Sequence, residues 1–165
     1  MLPFSKILCP VDFSAPSFRA LLKSAEIARH CGGELYLLHV ISPLEAADTA
    51  ADEAIRDLRH LVCDYLPESL GAHSLVSAGD ATAEILRVAG EKSVDLIVMA
   101  THGSTGWREF ALGSVTDEVV RLAPCPVLTL NDAALGQEKE NPTAAGPGGA
   151  RGVADMASTK MSERR

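Results

Sequence analysis

The residues best suited to chemistry lie in the loop that contains Gly103 and at the start of the predicted helix that follows it, at Gly113 and Ser114. Glycines let a backbone approach a ligand closely, and the amides at a helix N-terminus attract anions. Gly113-Ser114 therefore suits a phosphate group, and Arg108 is the one lysine or arginine of the loop. A structural interpretation stands beside this one: Ser114 caps the next helix, and Asp117 completes a capping-box-like arrangement.

A second candidate is Asp12, which directly follows the first apolar run of the chain. A carboxylate there could accept hydrogen bonds from the hydroxyls of a ribose or from the amine of an adenine. Taken alone, capping of the next helix is the favoured interpretation, because Asp is a common N-cap. The chain contains no GxxxxGK[ST] run, and no GxGxxG run follows the first strand, so both of these phosphate-binding fingerprints are excluded.

The remaining histidines and cysteines carry weaker signals. His102 is expected to order its own loop, and His39, inside an apolar run, to be a hydrogen-bonded core histidine. The four cysteines lie far apart without a CxxC pair, which predicts unpaired thiols in a reducing compartment. A redox-sensitive Cys9 or Cys125 is the alternative. The sequence offers no recognisable catalytic base and no cage of protein ligands for a metal, which argues against a dedicated turnover enzyme.

Alternating strands and helices must position these residues. Nearly continuous apolar runs predict buried strands, and apolar residues three and four apart predict helices. The pattern predicts a doubly wound parallel α/β sheet, in the order 3-2-1-4-5, with helices on both faces. Ligands of such sheets bind beyond the carboxyl ends of the strands, here strands one, two and four. The strands are predicted at 4–11, 35–41, 72–78, 95–100 and 126–130, and the helices between Ser14 and Gly32, at about 47–66, from the N-cap Asp80 to about Glu91, and at 114–122.

Composition and charge exclude several classes of protein. The chain has 165 residues, 47% of them hydrophobic, which suits one globular domain. Its net charge of −7 argues against a general nucleic-acid binder and against adhesion to anionic membranes. Because the sequence shows neither a membrane span nor a signal-peptide pattern, a soluble cytoplasmic protein is expected. Residues 132–165 contain no Ile, Phe, Trp or Tyr, which predicts a disordered tail after a domain at 1–131.

Five segments, in order, resemble the nucleotide-binding class of the universal stress protein family, whose fold is of the adenine nucleotide alpha hydrolase-like type. The resemblance covers about residues 3–130. The family's ATP signature is Gly, two residues, Gly, nine residues, Gly, then Ser or Thr. Here nine residues separate Gly103 from Gly113-Ser114, while Ala100 replaces the first glycine. The matching segments are 6–14, 37–40, 95–103, 112–115 and 123–128.

The resemblance implies a regulatory module of the stress response that binds ATP with Mg²⁺. Asp12 would hold the adenosine end, the Val40 backbone would contact adenine, and residues 100–103 and 113–115 would cradle the phosphates. Family members often dimerise through the last strand, so a homodimer through 126–130 is expected, which would pair an open sheet edge. The predicted binding residues are Pro10, Val11, Asp12, Ser14, Val40, Met99, Ala100, Gly103, Gly113, Ser114, Val115 and Thr116.

Two other functions stay open at this point. One is an interaction protein of the same family that binds no nucleotide, which Ala100 and the acidic first turn of the last helix would signal. The other is a slow ATPase or transferase, because a fold does not decide function. The retained Asp12, Gly103, Gly113 and Ser114 favour nucleotide binding over an interaction protein without nucleotide. Asp12 and Asp117 could help to place Mg²⁺ through waters and phosphates.

Overall fold

Five parallel strands form one sheet in the order β3-β2-β1-β4-β5, which confirms the predicted fold class and strand order. The computed structural model describes residues 4–43, 49–101 and 113–131. The strands are β1 (Lys6–Pro10), β2 (Glu34–Ile41), β3 (Ala72–Ala78), β4 (Leu96–Ala100) and β5 (Val127–Leu130), and the helices are α1 (Ala15–Cys31), α2 (Ala50–Tyr65), α3 (Ala81–Lys92) and α4 (Ser114–Leu122).

Helices cover both faces of the sheet, which is why β4 is apolar throughout and β1 is apolar after Lys6. Successive residues of one strand point to opposite faces, so each strand contributes to two cores. Ile7 packs with α1 and α2 in one cluster, and Leu8 packs with α3 and α4 in the other. β1 therefore lies at the centre of the sheet and is buried on both sides.

Short polar N-cap residues begin two of the helices, α1 and α3, and the second of these caps is the predicted Asp80. Ser14 is the N-cap of α1 and accepts a hydrogen bond from the Ser17 N–H. Asp80 is the N-cap of α3 and accepts one from the Ala83 N–H at 2.9 Å. Capping satisfies amides that the helix leaves without a partner, so these residues fix where the chain turns from strand to helix.

The predicted and observed boundaries differ most at the first strand and the second helix. The strand predicted at 4–11 is shorter, Lys6–Pro10, because the chain turns toward α1 at Asp12. The helix predicted from about 47 begins at Ala50. Gly103 and His102, the rest of their loop and the predicted tail at 132–165 lie outside the described residues. No helix in the described ranges is long and apolar enough to cross a membrane.

Candidate functional site

A cavity of about 280 Å³ lies at the carboxyl ends of β1, β2 and β4. β1 separates β2 from β4, so the cavity lies where the strand order reverses, the usual ligand position in an open α/β sheet. The starts of α3 and α4 complete its walls. The lining residues are Pro10, Val11, Asp12, Ser17, Leu38, His39, Val40, Ala81, Ile85, Met99, Ala100, Gly113, Ser114, Val115 and Thr116.

The backbone of Val40 faces the cavity because β2 continues beyond the end of β1. The last paired residues of these strands are Pro10 and Leu38, and the Val11 N–H donates to the Leu38 oxygen at 2.8 Å. Alternate residues of a parallel strand direct their N–H and C=O to the same side. Val40 therefore directs both groups past the end of β1, and they offer one donor and one acceptor to a ligand.

Asp12 follows β1 and lines the cavity, but it does not cap α1. Its Oδ1 accepts hydrogen bonds from the Ser14 hydroxyl at 2.5 Å and from the Ser14 N–H at 3.1 Å. Ser14 in turn caps the helix, so the capping interpretation of Asp12 is wrong. These contacts orient an exposed carboxylate at the cavity wall, where it can accept hydrogen bonds from hydroxyl groups.

The start of α4 forms the wall opposite β2. The predicted Ser114 cap is wrong: Gly113 is the N-cap and makes no side-chain cap hydrogen bond. The Gly113 N–H donates to the Thr101 oxygen at 2.7 Å, which brings the cap position against the end of β4 and makes Ser114 the first helical residue. The Thr116 hydroxyl donates to the Ala100 oxygen at 3.0 Å and fixes the helix start to the strand.

Ala100, which replaces a glycine of the family signature, ends β4 without backbone strain. Among the non-glycine residues that the structure describes, only Phe13 and Ser93 have a positive φ. Ala100 therefore has a negative φ, which alanine adopts as readily as other residues do. Ala100 packs against the core cluster that contains Ile7, and it also lines the cavity.

His39 is hydrogen-bonded, as expected, but it is only half-buried and it lines the cavity. Its Nδ1 lies 2.8 Å from the Val11 oxygen. A carbonyl only accepts, so Nδ1 carries the hydrogen and donates. The imidazole also contacts the Phe13 ring, with centroids 4.6 Å apart. The ring thus joins β2 to the turn after β1.

The structure brings ten of the twelve predicted binding residues to one cavity. Ser14 lies behind Asp12 and holds its carboxylate, and Gly103 lies outside the described ranges. The sequence analysis missed five lining residues. Two of them, Ala81 and Ile85, come from α3, and no local pattern marks them because only the packing of α3 on the sheet brings them there. The other three are Ser17, Leu38 and His39. That these residues bind a ligand stays a prediction.

The cysteines are free thiols, as predicted. Burial raises the pKa of Cys9 to about 12, and burial followed by the negative charge of Asp95 raises the pKa of Cys125. Both thiols are therefore protonated near neutral pH, and a protonated thiol is a weak nucleophile. This argues against the redox-sensitive alternative for either residue.

The part of the chain that the structure describes holds no group of three or more His, Cys, Asp or Glu side chains that could bind a metal ion. Asp117, expected to help place Mg²⁺, does not line the cavity and pairs with Arg121 at 3.0 Å. A cation at this site would therefore depend on oxygens that a ligand brings, together with water and Asp12.

Residues 3–131 match the family model of the universal stress protein family. The universal stress protein MJ0531 of Methanocaldococcus jannaschii is 30% identical over 142 residues, which cover 77% of this chain and 82% of the relative. The universal stress protein YxiE of Bacillus subtilis is 31% identical over 144 residues, 76% of this chain and 97% of the relative. The similarity thus spans the whole sheet and nearly the full length of such relatives.

Solved structures share the fold. The structure of MJ0577 from Methanocaldococcus jannaschii has a TM-score of 0.71 at 28% identity and covers 79% of this chain and 97% of its own. A universal stress protein solved with cAMP has a TM-score of 0.61 at 20% identity. One from Archaeoglobus fulgidus solved with dAMP has a TM-score of 0.59 at 21% identity. Each of these two covers 78% of this chain and 98% of its own, and at this identity the likeness is one of fold.

Proposed function

Because this chain belongs to the universal stress protein family, we propose that it binds ATP with Mg²⁺ in the cavity at the ends of β1, β2 and β4. One observation carries the proposal: three groups of different chemistry meet at this cavity. They are the backbone of Val40, the carboxylate of Asp12 and the N-terminus of α4. Each suits a different part of an adenine nucleotide.

The base would lie against Val40. An adenine ring offers an amine that donates and ring nitrogens that accept, and Val40 offers one C=O and one N–H toward the cavity. Apolar side chains of Leu38, Ile85 and Met99 line the same cavity and would enclose the flat faces of the ring. An apolar pocket with a few placed polar groups is the usual form of a small-molecule site.

The ribose would lie at Asp12 and the phosphates at the start of α4. A carboxylate accepts hydrogen bonds from ribose hydroxyls, and the first amides of a helix bind phosphate oxygens. Gly113 has no side chain, and no side-chain cap occupies those amides. Mg²⁺ would be held mainly by phosphate oxygens and water, which suits a site with Asp12 as its nearest carboxylate.

The size of the cavity supports a nucleoside at this position. Small-molecule sites usually measure about 300–1,000 Å³, and the described cavity of about 280 Å³ lies just below that range, which suits the nucleoside part of a ligand. The phosphates would extend from it toward the loop after Thr101. The fold accommodates adenine nucleotides elsewhere, since one structure of this fold was solved with cAMP and another with dAMP.

Isothermal titration of the full chain with ATP, with and without Mg²⁺, tests the proposal. We expect saturable binding that GTP does not reproduce, because guanine presents a carbonyl where adenine presents its amine. AMP should bind more weakly, since it lacks the β- and γ-phosphates that α4 would contact. The absence of binding up to millimolar ATP would contradict the proposal and favour an interaction protein that needs no nucleotide.

Replacing Asp12 by alanine is expected to lower ATP affinity about tenfold, because hydrogen bonds from ribose hydroxyls to a carboxylate are lost. The free energy of unfolding should change little, since Ser14 remains to cap α1. The affinity is measured by titration, and the stability by urea denaturation.

The control for Asp12→Ala is Asp52→Ala, which removes the same charge from the first turn of α2. It should leave ATP affinity within about twofold of the original value. Equal losses from both substitutions would show that Asp12 acts only through the net charge of the protein.

A regulatory role fits this cavity better than rapid turnover of ATP. We also propose that the protein acts in the cytoplasm. Hydrolysis of ATP needs an activated water and stabilisation of charge at the γ-phosphate. Within the described part of the wall the titratable side chains are Asp12 and His39. Asp12 would be engaged by the ribose, and the described lining includes no lysine or arginine that could stabilise charge at the γ-phosphate. Bound nucleotide would instead shift the population of states that a partner recognises.

We also propose that two copies pair through β5, which lies at one edge of the sheet. The Pro126 oxygen accepts from the Ile97 N–H of β4, and the Leu130 oxygen accepts from the Thr101 N–H just after β4. The alternate residues Val127 and Thr129 therefore direct their backbone groups to the open edge. An open edge of this kind is suited to pairing with another strand.

Thr129→Pro is expected to shift the protein from dimer to monomer. Proline removes the outward N–H of β5 and spares the hydrogen bonds to β4. Light scattering should give twice the chain mass of 17.4 kDa for the original protein and for Thr129→Ala, and less for the proline variant. A proline variant that stays dimeric would place the interface elsewhere.

A further inference from the structure

The imidazole of His39 contacts the residues on both sides of Asp12. Its Nδ1–H donates to the Val11 oxygen at 2.8 Å, and its ring lies 4.6 Å from the Phe13 ring, centroid to centroid. Val11 precedes Asp12 in the chain and Phe13 follows it. His39 thereby holds the turn that presents the Asp12 carboxylate to the cavity.

This turn has a backbone conformation that needs outside support. Phe13 has a φ of +60°, in the left-handed region that bulky residues rarely adopt. Such conformations persist where surrounding contacts determine them, and they concentrate at binding sites. Two residues of α1 and its cap hold Asp12: Ser14 donates to its carboxylate, and the Ser17 hydroxyl accepts from its N–H at 3.4 Å. From β2, His39 holds the backbone before Asp12 and the ring after it.

We propose that His39 is a positioning residue of the nucleotide site, which acts on ligand affinity through the turn at 11–13 and the carboxylate of Asp12. The inference rests on the proposed nucleotide binding and adds to it the residue that sets the ribose contact. Its place on β2 beside Val40 means that one strand would set both the base contact and the ribose contact.

Two substitutions separate the hydrogen bond from the rest of the ring. The amide nitrogen of asparagine lies as many bonds from the backbone as Nδ1 of histidine, so His39→Asn keeps a donor for the Val11 oxygen. The amide nitrogen of glutamine corresponds to Nε2, so His39→Gln moves the donor away. His30 provides the matched control, because its Nδ1 also lies 2.8 Å from a carbonyl oxygen, that of Glu26, at the far end of α1.

We expect His39→Ala and His39→Gln to lower ATP affinity about fivefold in titrations, with His39→Asn within twofold of the original protein and His30→Ala unchanged. In the Asp12→Ala background, His39→Ala should cause no further loss, because the carboxylate through which it acts is gone. Equal affinities of the Asn and Gln variants, or additive losses with Asp12→Ala, would overturn the proposal.

Amide NMR spectra of the nucleotide-free protein test the turn independently of ATP. Asparagine and glutamine both lack the imidazole, so these two variants compare the hydrogen bond at an equal loss of ring current. The resonances of residues 11–14 should differ between His39→Gln and His39→Asn. Equal resonances in the two variants would overturn the positioning role even if ATP binds. Different resonances in a protein that fails to bind ATP would support the role in the turn and contradict the proposed nucleotide function instead.

Discussion

Replacing Gly113 by valine is expected to weaken ATP binding about 100-fold while the fold stays intact. The backbone of Gly113 has φ −58° and ψ 151°, which any residue can adopt, so the effect comes from space. A Cβ at this position would lie 3.3 Å from the Thr101 oxygen. The two methyl groups of valine would then occupy the approach to the first amides of α4, where the phosphates are proposed to bind.

A graded series identifies this steric cause. Gly113→Ala adds only the Cβ, so the ATP affinity of this variant should lie between those of the original protein and the valine variant. Gly90→Ala serves as the control, because a Cβ there meets nothing within 4 Å and alanine favours the helix. Titration gives the affinities, and circular dichroism checks the fold. A folded valine variant that keeps the original ATP affinity would contradict the proposal that the phosphates bind at the start of α4.

Replacing Gly33 by alanine is expected to lower the free energy of unfolding by about 3 kcal/mol. A Cβ there would lie 2.4 Å from the Phe4 oxygen and 3.0 Å from the Ser5 oxygen. Both atoms belong to the backbone that leads into β1, and they cannot move without shifting the strand. Urea denaturation followed by circular dichroism measures the loss.

The neighbouring Gly32 provides the comparison, because its constraint has a different cause. Gly32 is the C-cap of α1 with φ +66°, and a Cβ there meets nothing within 4 Å. Gly32→Ala should therefore cost only the left-handed backbone conformation, about 1 kcal/mol. Equal losses of unfolding free energy at the two positions would show that β1 can shift to accommodate a Cβ at position 33. The close approach of Gly33 to β1 would then be unimportant for stability.

The contact at Gly33 also bears on the site. Directly after it the Glu34 N–H donates to the Ser5 oxygen at 2.8 Å, and the paired register runs from Lys6 with Glu34 to Pro10 with Leu38. That register makes β2 extend past β1 and leaves the Val40 backbone facing the cavity. A folded Gly33→Ala protein with a shifted register should therefore also lose ATP affinity, whereas Gly32→Ala should not.

The sequence by itself determined the elements of the fold, because local patterns encode them. The third strand, predicted at 72–78, is β3 with the same bounds, and Asp80 caps α3 as predicted. Apolar runs mark strands that are covered on both faces, such as β4, and short polar residues mark side-chain caps. Five alternations of these signals predict a parallel doubly wound sheet and leave few topologies for it.

Only the tertiary structure decided how the site is assembled. Ser114 has the residue type of a cap, but the hydrogen bond from Gly113 to Thr101 places the cap one residue earlier. Ala81 and Ile85 reach the cavity through the packing of α3, and His39 reaches the turn around Asp12 through the pairing of β2 with β1. Each of these contacts joins residues distant in the chain, so its geometry depends on the register and packing of whole elements rather than on the types of neighbouring residues.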